Sequence, residues 1–411
     1  MIFFSSKSRP FTSYIKKTIF LLCIVIFYTP TSYSEDYNVF YAGFSFSGNY
    51  SDKQQSAKYT DQILNIKNDN GLDVISASLL QSIKQVKPPN YTINYGLADL
   101  DQGSKEAIVM SVALNHESYS TEYFPPSKTY SNFIDMYFQV LFYNFDSKKL
   151  IASIPFDVEI TTLSKTPLEE ADVKELIQRF YSEGLKSETG ETINAFHSLE
   201  NILNKFVLKD KYRFRIGVTD VILEKKANNN IPANIRKNLS SVKNIFAQSL
   251  SSRLSLHQSI SLVPYQEGMA LGGSMKQRFA NSDEIYDIQL PTPDFNIELT
   301  VRGFKKVLGK TSDVSEIYLY GAYTNIKILQ PDLEKVYFNE KLKNANQIKM
   351  PKGLKGVDDW RKFYYSLVTL FDKFSINITE PSQKYMKFQS KDPRNLKNKI
   401  DGVKTVLNKV R

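Results

Sequence analysis

Apolar positions along this chain alternate between the two-residue period of a strand and the three-to-four-residue period of a helix. Tyr37 to Phe46 reads as an aromatic-rich strand ending near Gly48. Asp73 is placed to cap a helix carrying Val74, Ala77, Leu80 and Ile83, and Pro88-Pro89 stop it. A short strand follows over Tyr91 to Leu97. A long one runs from Ala107 to Tyr123, with Ile108, Met110, Val112 and Leu114 on one face. Phe133 to Phe145 and Leu150 to Ile160 form a hairpin around Asp146-Ser147-Lys148-Lys149. After Thr166-Pro167 come two helical stripes. The first is Leu176, Ile177, Phe180, Tyr181 and Leu185; the second is Ile193, Phe196, Leu199, Leu203 and Phe206.

The second half repeats this order. Tyr212 to Leu223 reads as a strand and Ala233 to Leu256 as a helix. Ile260 to Pro264 is a short strand, followed by a glycine turn at Gly268 to Gly273 and a further strand over Ile285 to Leu290. Phe295 to Val307 and Ile317 to Leu329 are long strands, and Val336 to Leu342 closes a hairpin around Pro331 to Lys335. Asp358 or Asp359 then caps a helix through Trp360, Phe363, Tyr364, Leu367, Leu370, Phe371 and Phe374. The segment 140–154 (VLFYNFDSKKLIASI) aligns with 326–340 (IKILQPDLEKVYFNE), which sets Asp146 on Asp332 and Lys149 on Lys335. Each acid is expected to hydrogen-bond turn amides. The pattern predicts an α+β fold: two similar β-α-β plus antiparallel-sheet modules (35–165 and 209–383), joined by a helical pair (166–208), with a basic C-terminal helix (384–411).

A β-α-β unit, long antiparallel strands, an Asp-x-x-Lys turn and the stretch Leu262-Val263-Pro264-Tyr265 after a helix resemble the envelope modules of the curli secretion protein CsgG, the amino-terminal domain of TolB and the flagellar protein FlgT. The turn lacks the Thr-Gly often found in that group, and there is no lipobox. The resemblance implies a scaffolding or assembly part of the bacterial envelope and no particular activity.

The amino terminus narrows the compartment. Lys7, Arg9, Lys16 and Lys17 precede the apolar run Thr18 to Tyr28, which is too short to span a bilayer but suits a secretory signal. Pro30 breaks it, and Ser32-Tyr33-Ser34 offers a cleavage site after Ser34. Cys23, the single cysteine, lies inside the signal, and Leu22 before it is too large for lipidation. A chain that loses its only thiol on export suits a bacterial periplasm. The net charge is +10. It belongs to the ends: 35–383 is near neutral, while 384–411 holds nine basic residues against two acidic ones. Nucleic acid is not an expected partner, because the body offers no excess positive charge to phosphates.

Chemistry is sparse. The three histidines are His116, His197 and His257. His197 and Glu200 stand one helical turn apart but lack a second ligand pair, so no metal is expected. His116 and Glu117 point to opposite faces of a strand. Ser274 after Gly272-Gly273 lacks the nucleophile-elbow pattern, and neither a P-loop nor a dinucleotide fingerprint occurs, so no cofactor is expected. Tyr318, Tyr320 and Tyr323 could stack on sugar rings, although strand packing explains them more simply.

The tail has the sharpest pattern. Leu396, Ile400, Val403, Leu407 and Val410 form a helical stripe bordered by lysines. It suits an anionic envelope surface or an envelope protein, with Leu396, Ile400, Val403 and Leu407 as anchors and Lys397, Lys399 and Lys404 steering. Docking on the chain's own body is the alternative. The sequence therefore points to an exported, periplasmic or envelope-associated binding or assembly protein without catalytic residues. A secreted hydrolase, in which a histidine meets a carboxylate and a hydroxyl, and a secreted host-directed factor are the other readings.

Overall fold

The computed structural model describes residues 37–48, 56–69, 71–96, 107–187, 190–209, 211–267, 273–280, 282, 284–354 and 357–411. The expected signal peptide and Cys23 lie outside these residues. The fold is α+β, and residues 37–411 form one compact unit.

The first half begins with β1 (Tyr37–Ser47). Two short helices follow, α1 (Lys58–Ile63) and α2 (Val74–Ile83). The expected cap is present: Asp73 Oδ1 accepts from Ser76 N at 2.7 Å. β2 (Tyr91–Asn94) and β3 (Ile108–Phe124) both run parallel to β1. β4 (Thr129–Asn144) and β5 (Leu150–Ser164) extend the sheet as an antiparallel meander.

Segment 166–208 is only partly helical. It forms α3 (Glu170–Ser182), the small strands β6 (Leu185–Lys186) and β7 (Thr192–Ile193), and a helix of little more than one turn, α4 (Leu199–Leu203). Phe180, Tyr181, Phe196, Leu199 and Leu203 are buried in the first core, against Phe44, Val112 and Phe138. Burying these large side chains on the bare face of the sheet is worth about 1.5–3 kcal/mol each.

The second half starts with β8 (Ile216–Leu223) and the short helices α5 (Lys225–Asn230) and α6 (Ala233–Arg236). The long helix α7 (Leu239–Gln258) follows. Two strands, β9 (Gly273–Phe279) and β10 (Ile285–Leu290), then form a hairpin. β11 (Phe295–Thr311) runs parallel to β8, and β12 (Ser315–Gln330) and β13 (Lys335–Pro351) complete a four-stranded sheet. Three helices close the chain: α8 (Asp359–Thr379), α9 (Gln383–Gln389) and α10 (Pro393–Val410).

The two sheets follow one plan. In each, the first strand pairs in parallel with a short segment on one side, Tyr37 with Tyr91 and Gly217 with Val263, and with a long strand on the other. Each register also skips a residue at matching places: Ala42 and Thr219 in the first strands, Asn115 and Arg302 in the second, Ile151 and Tyr337 in the last. Bulges re-aim every side chain beyond them, so the two sheets share facing as well as strand order.

The hairpin β9–β10 breaks the symmetry. It joins the first sheet through Ser45–Phe279 and Phe46–Arg278 pairing, not the second. Gln277 is buried there and donates to Ser45 Oγ at 2.8 Å and Ser111 Oγ at 2.6 Å. The second half of the chain thus completes the edge of the first sheet.

Candidate functional site

The first sheet has two faces of different chemistry. Ile108, Met110, Val112 and Leu114 face the helices α1 to α4, as the alternation predicts. After the bulge at Asn115, Glu117 keeps to that side and accepts from Thr60 N at 3.2 Å and Thr60 Oγ1 at 2.5 Å. Burial pushes its pKa up to about 7, against the opposing effect of those hydrogen bonds. The other face carries His116, Ser118, Asp135, Tyr137, Gln139, Asp157 and Glu159 and meets α7 and α8.

That contact is a row of polar pairs between the first sheet and these two helices. Arg253 Nη2 lies 2.6 Å from Asp157 Oδ2, and Gln139 Nε2 donates to Gln248 Oε1 at 3.1 Å. The Tyr137 and Tyr364 hydroxyls bond each other, and Ser249 Oγ lies 2.7 Å from the latter. Lys362 Nζ sits 2.7 Å from both oxygens of Glu122. Arg361 is the hub. It reaches Asp135 at 2.8 and 3.2 Å and Glu159 at 2.6 Å, while its guanidinium lies 3.8 Å from the centre of the Phe133 ring. The two-pronged contact fixes orientation as well as charge. Paired charges of this kind set docking geometry more than they add stability.

The pairs leave two cavities beside Arg361. One, of about 470 Å³, lies between Glu122, Phe133, Glu159 and Tyr365. The other, of about 570 Å³, is walled by His116, Ser118, Ser120 and Tyr137 from the first sheet and by Asn234, Ile245, Phe246, Trp360 and Tyr364 from the second module. Phe246 stacks on Tyr364 at 6.2 Å and leans on Trp360 at the same distance, so one wall is a continuous aromatic surface. Neither ring nitrogen of His116 has a hydrogen-bond partner among the described residues. Its enclosed position lowers its pKa to about 4, with Asp135 working in the opposite direction. At neutral pH it presents an uncharged imidazole with one donor and one acceptor.

The tail residues lie elsewhere. Leu396, Ile400, Val403 and Leu407 are buried in the second core with Tyr337, Phe338 and Phe374. The stripe is therefore covered by the chain's own body, the alternative the sequence left open. Lys399 pairs with Glu340, Lys404 lies 3.6 Å from Asp401, and Lys397 faces solvent. Close docking depends on Gly402, where an added Cβ would stand 2.6 Å from the carbonyl oxygen of Tyr337. The tail also caps an edge: the Gln389 amide bonds both the N–H and the C=O of Lys343 in β13, at 2.9 and 2.8 Å.

Other sequence candidates separate. Tyr320 is fully buried and bonds Asp359 at 2.6 Å, while Tyr323 lies on the opposite face with its ring over Gly321. His197 Nδ1 is 3.0 Å from its neighbour Asn194 O. His257 Nε2 is 2.7 Å from Asp372 Oδ1, joining α7 to α8 outside both cavities. Ser274 sits within β9 in regular pairing with Gln289. The residues missed by sequence were Asn234, Trp360 and Arg361, whose meeting with His116 depends on how the modules dock.

No family model matches the chain, and no curated protein matches it. Among solved structures, it is similar to a Xanthomonas campestris protein at 9% identity, over 39% of this chain and 81% of that one, with a TM-score of 0.23. It is also similar to a homologue of neuraminyllactose-binding hemagglutinin from Helicobacter pylori at 16% identity, over 43% and 87% of the two chains, with a TM-score of 0.24. A minor lipoprotein from Acinetobacter baumannii overlaps at 11% identity over 40% and 90%, with a TM-score of 0.19. Overlaps this loose carry no argument about role. No described helix is long and apolar enough to cross a membrane.

Proposed function

We propose that this chain is an exported, non-catalytic binding protein of the bacterial envelope whose ligand sits between its two modules. The observation that carries this reading is the imidazole of His116, without a hydrogen-bond partner among the described residues, in a cavity of about 570 Å³, within the roughly 300–1,000 Å³ range of small-molecule sites. The signal-like leader supports export. The Asp135 carboxylate is already held by Arg361 and by Ser118 Oγ at 3.1 Å, which leaves it poorly placed to orient His116 as a general base. The walls favour a small ring-bearing molecule with hydroxyl or amide groups. Trp360 and Phe246 would take its face, and His116, Ser118, Ser120 and Asn234 its polar edge.

Trp360 is the only tryptophan of the chain, so its fluorescence reports on the cavity directly. Fractionated soluble envelope saccharides and muropeptides are titrated while the emission is followed. Binding should shift the emission, and His116→Leu should weaken it at least tenfold without loss of fold. Emission that no fraction moves, or a shift unchanged in His116→Leu, would move the search away from this cavity.

A further inference from the structure

Helices α7, α8 and α10 share one core with the buried face of the second sheet, and α9 lies along its β13 edge, where Lys343 Nζ is 5.1 Å from the centre of the Phe388 ring. On β12 the even positions Tyr320, Ala322, Thr324, Ile326 and Ile328 are buried beneath them. The odd positions face the other way, and register assigns their neighbours. Tyr323 pairs with Lys343, and Asn325 with Lys341. Gly321 lies opposite Lys305, and Ile317 lies between Lys310 and Lys349. Leu319 lies between Val307 and Gln347. Lys305, Lys310, Lys341, Lys343 and Lys349 are all exposed, and none is paired with a carboxylate among the described residues. The acids on this face, Asp220 and Glu298, stand at its far end, where Glu298 already holds Lys327 at 3.0 Å.

The face ends in an apolar tip. β11 and β12 run well past the end of β8, and at their turn Val307 is 39%, Leu308 50% and Val314 78% exposed. Asp313 is the one acid at the turn itself. Lysines spread over an open sheet and ending at an apolar tip match a surface with anionic groups outside and hydrocarbon beneath. An acidic protein would satisfy the lysines but gives the tip no role. We propose that the open face of the second sheet docks this protein on an anionic lipid surface. The five lysines lie over the headgroups, and Val307, which shares their face opposite Leu319, and Val314 at the turn enter the boundary with the acyl chains. Spread over the face, these charges act together and weaken with added salt.

The test is co-sedimentation of the full chain with vesicles of phosphatidylcholine alone or with one third phosphatidylglycerol, at low and high salt. The apolar leader residues could bind any vesicle, so the readout is the difference between vesicle types and between variants. The protein should partition at least tenfold better onto the anionic vesicles at low salt and lose most of that preference at high salt. Lys305→Glu with Lys343→Glu and Lys349→Glu should abolish the preference. Val307→Ser with Val314→Ser should weaken binding several-fold while keeping the salt dependence. Circular dichroism confirms that each variant is folded, and Lys→Gln at the same three positions should give an intermediate loss. Equal binding to both vesicle types, or an unchanged preference in the charge-reversed variant, would overturn the proposal. So would retention on immobilised polyglutamate without vesicle binding, which would put an acidic protein in place of the lipid.

Discussion

Lys148 and Glu334 occupy the same place in two copies of one hairpin, and both adopt left-handed backbone conformations, with φ of 54° and 48°. The matching bulges at Ile151 and Tyr337 follow three residues later in each. A side chain in this region costs about 1 kcal/mol against glycine. Glu334 is exposed, so Glu334→Gly should stabilise the protein by up to about 1 kcal/mol, read as a rise in the urea midpoint at constant slope. Lys148→Gly should gain less. The lysine lies 4.0 Å from the Phe145 ring centre and 5.3 Å from that of Tyr286, and these contacts would be lost.

This hairpin was the most legible part of the sequence. The alignment of 140–154 with 326–340 reproduces the structural register, because turn length and strand alternation are local properties. The turn's chemistry differs from expectation. Asn144, not Asp146, accepts from Ser147 N, at 2.8 Å. The apolar face of β3 and the Asp73 cap were equally local and equally legible. β9 was missed because the amide nitrogen of its buried Gln277 bonds Ser45 and Ser111, partners far away in sequence that let a polar residue occupy a core position. The second half of β13, 343–351, was missed for a related reason. One of its faces is open to water, and the other carries Asn344 and Asn346, bonded to Ser366 and Thr369. The cavity could not be read from periodicity at all, since His116, Asn234 and Trp360 meet only when the first sheet packs against helices from the second half of the chain.

Gly402 tests how the tail is held. Alanine there improves helix propensity by about 1 kcal/mol. Its Cβ would nevertheless meet a backbone oxygen at 2.6 Å, which the sheet cannot move aside cheaply. Gly402→Ala should therefore destabilise by about 1–3 kcal/mol, the usual cost of overpacking. It should also speed protease cleavage between 380 and 393. A variant as stable and as resistant as the parent would mean that α10 can shift along β13 without loss.

Arg361 should be the costliest single side chain at the junction. Its side chain is 13% exposed and that of Asp135 9%. Arg361→Ala would leave a buried carboxylate without its partner, a loss of about 3–5 kcal/mol. Arg361→Lys should recover only part of this. A lysine retains the charge but loses the two-pronged contact with Asp135 and the flat stacking on Phe133. Denaturant titration of the two variants decides it. Losses under 1 kcal/mol for both would mean that the modules are held together by apolar contact alone.

His116 and Glu117, neighbours on opposite faces of β3, should give opposite pH dependences. The His116 pKa falls to about 4 from an unfolded value near 6.5. Between those values the unfolded chain binds more protons, so this residue makes stability fall as pH drops from 6.5 to 4. The Glu117 pKa rises to about 7 from about 4.5. The folded state then binds more protons, and this residue makes stability rise as pH drops from 7 to 4.5. In the overlap from pH 6.5 to 4.5 the two nearly cancel. Removing one exposes the other: Glu117→Gln should make the protein more acid-sensitive there, and His116→Gln less so, each by up to about 1.4 kcal/mol per pH unit. Melting temperatures of the parent and both variants across pH 4 to 8 provide the check. Parallel curves for all three would show that neither burial shifts a proton equilibrium on folding.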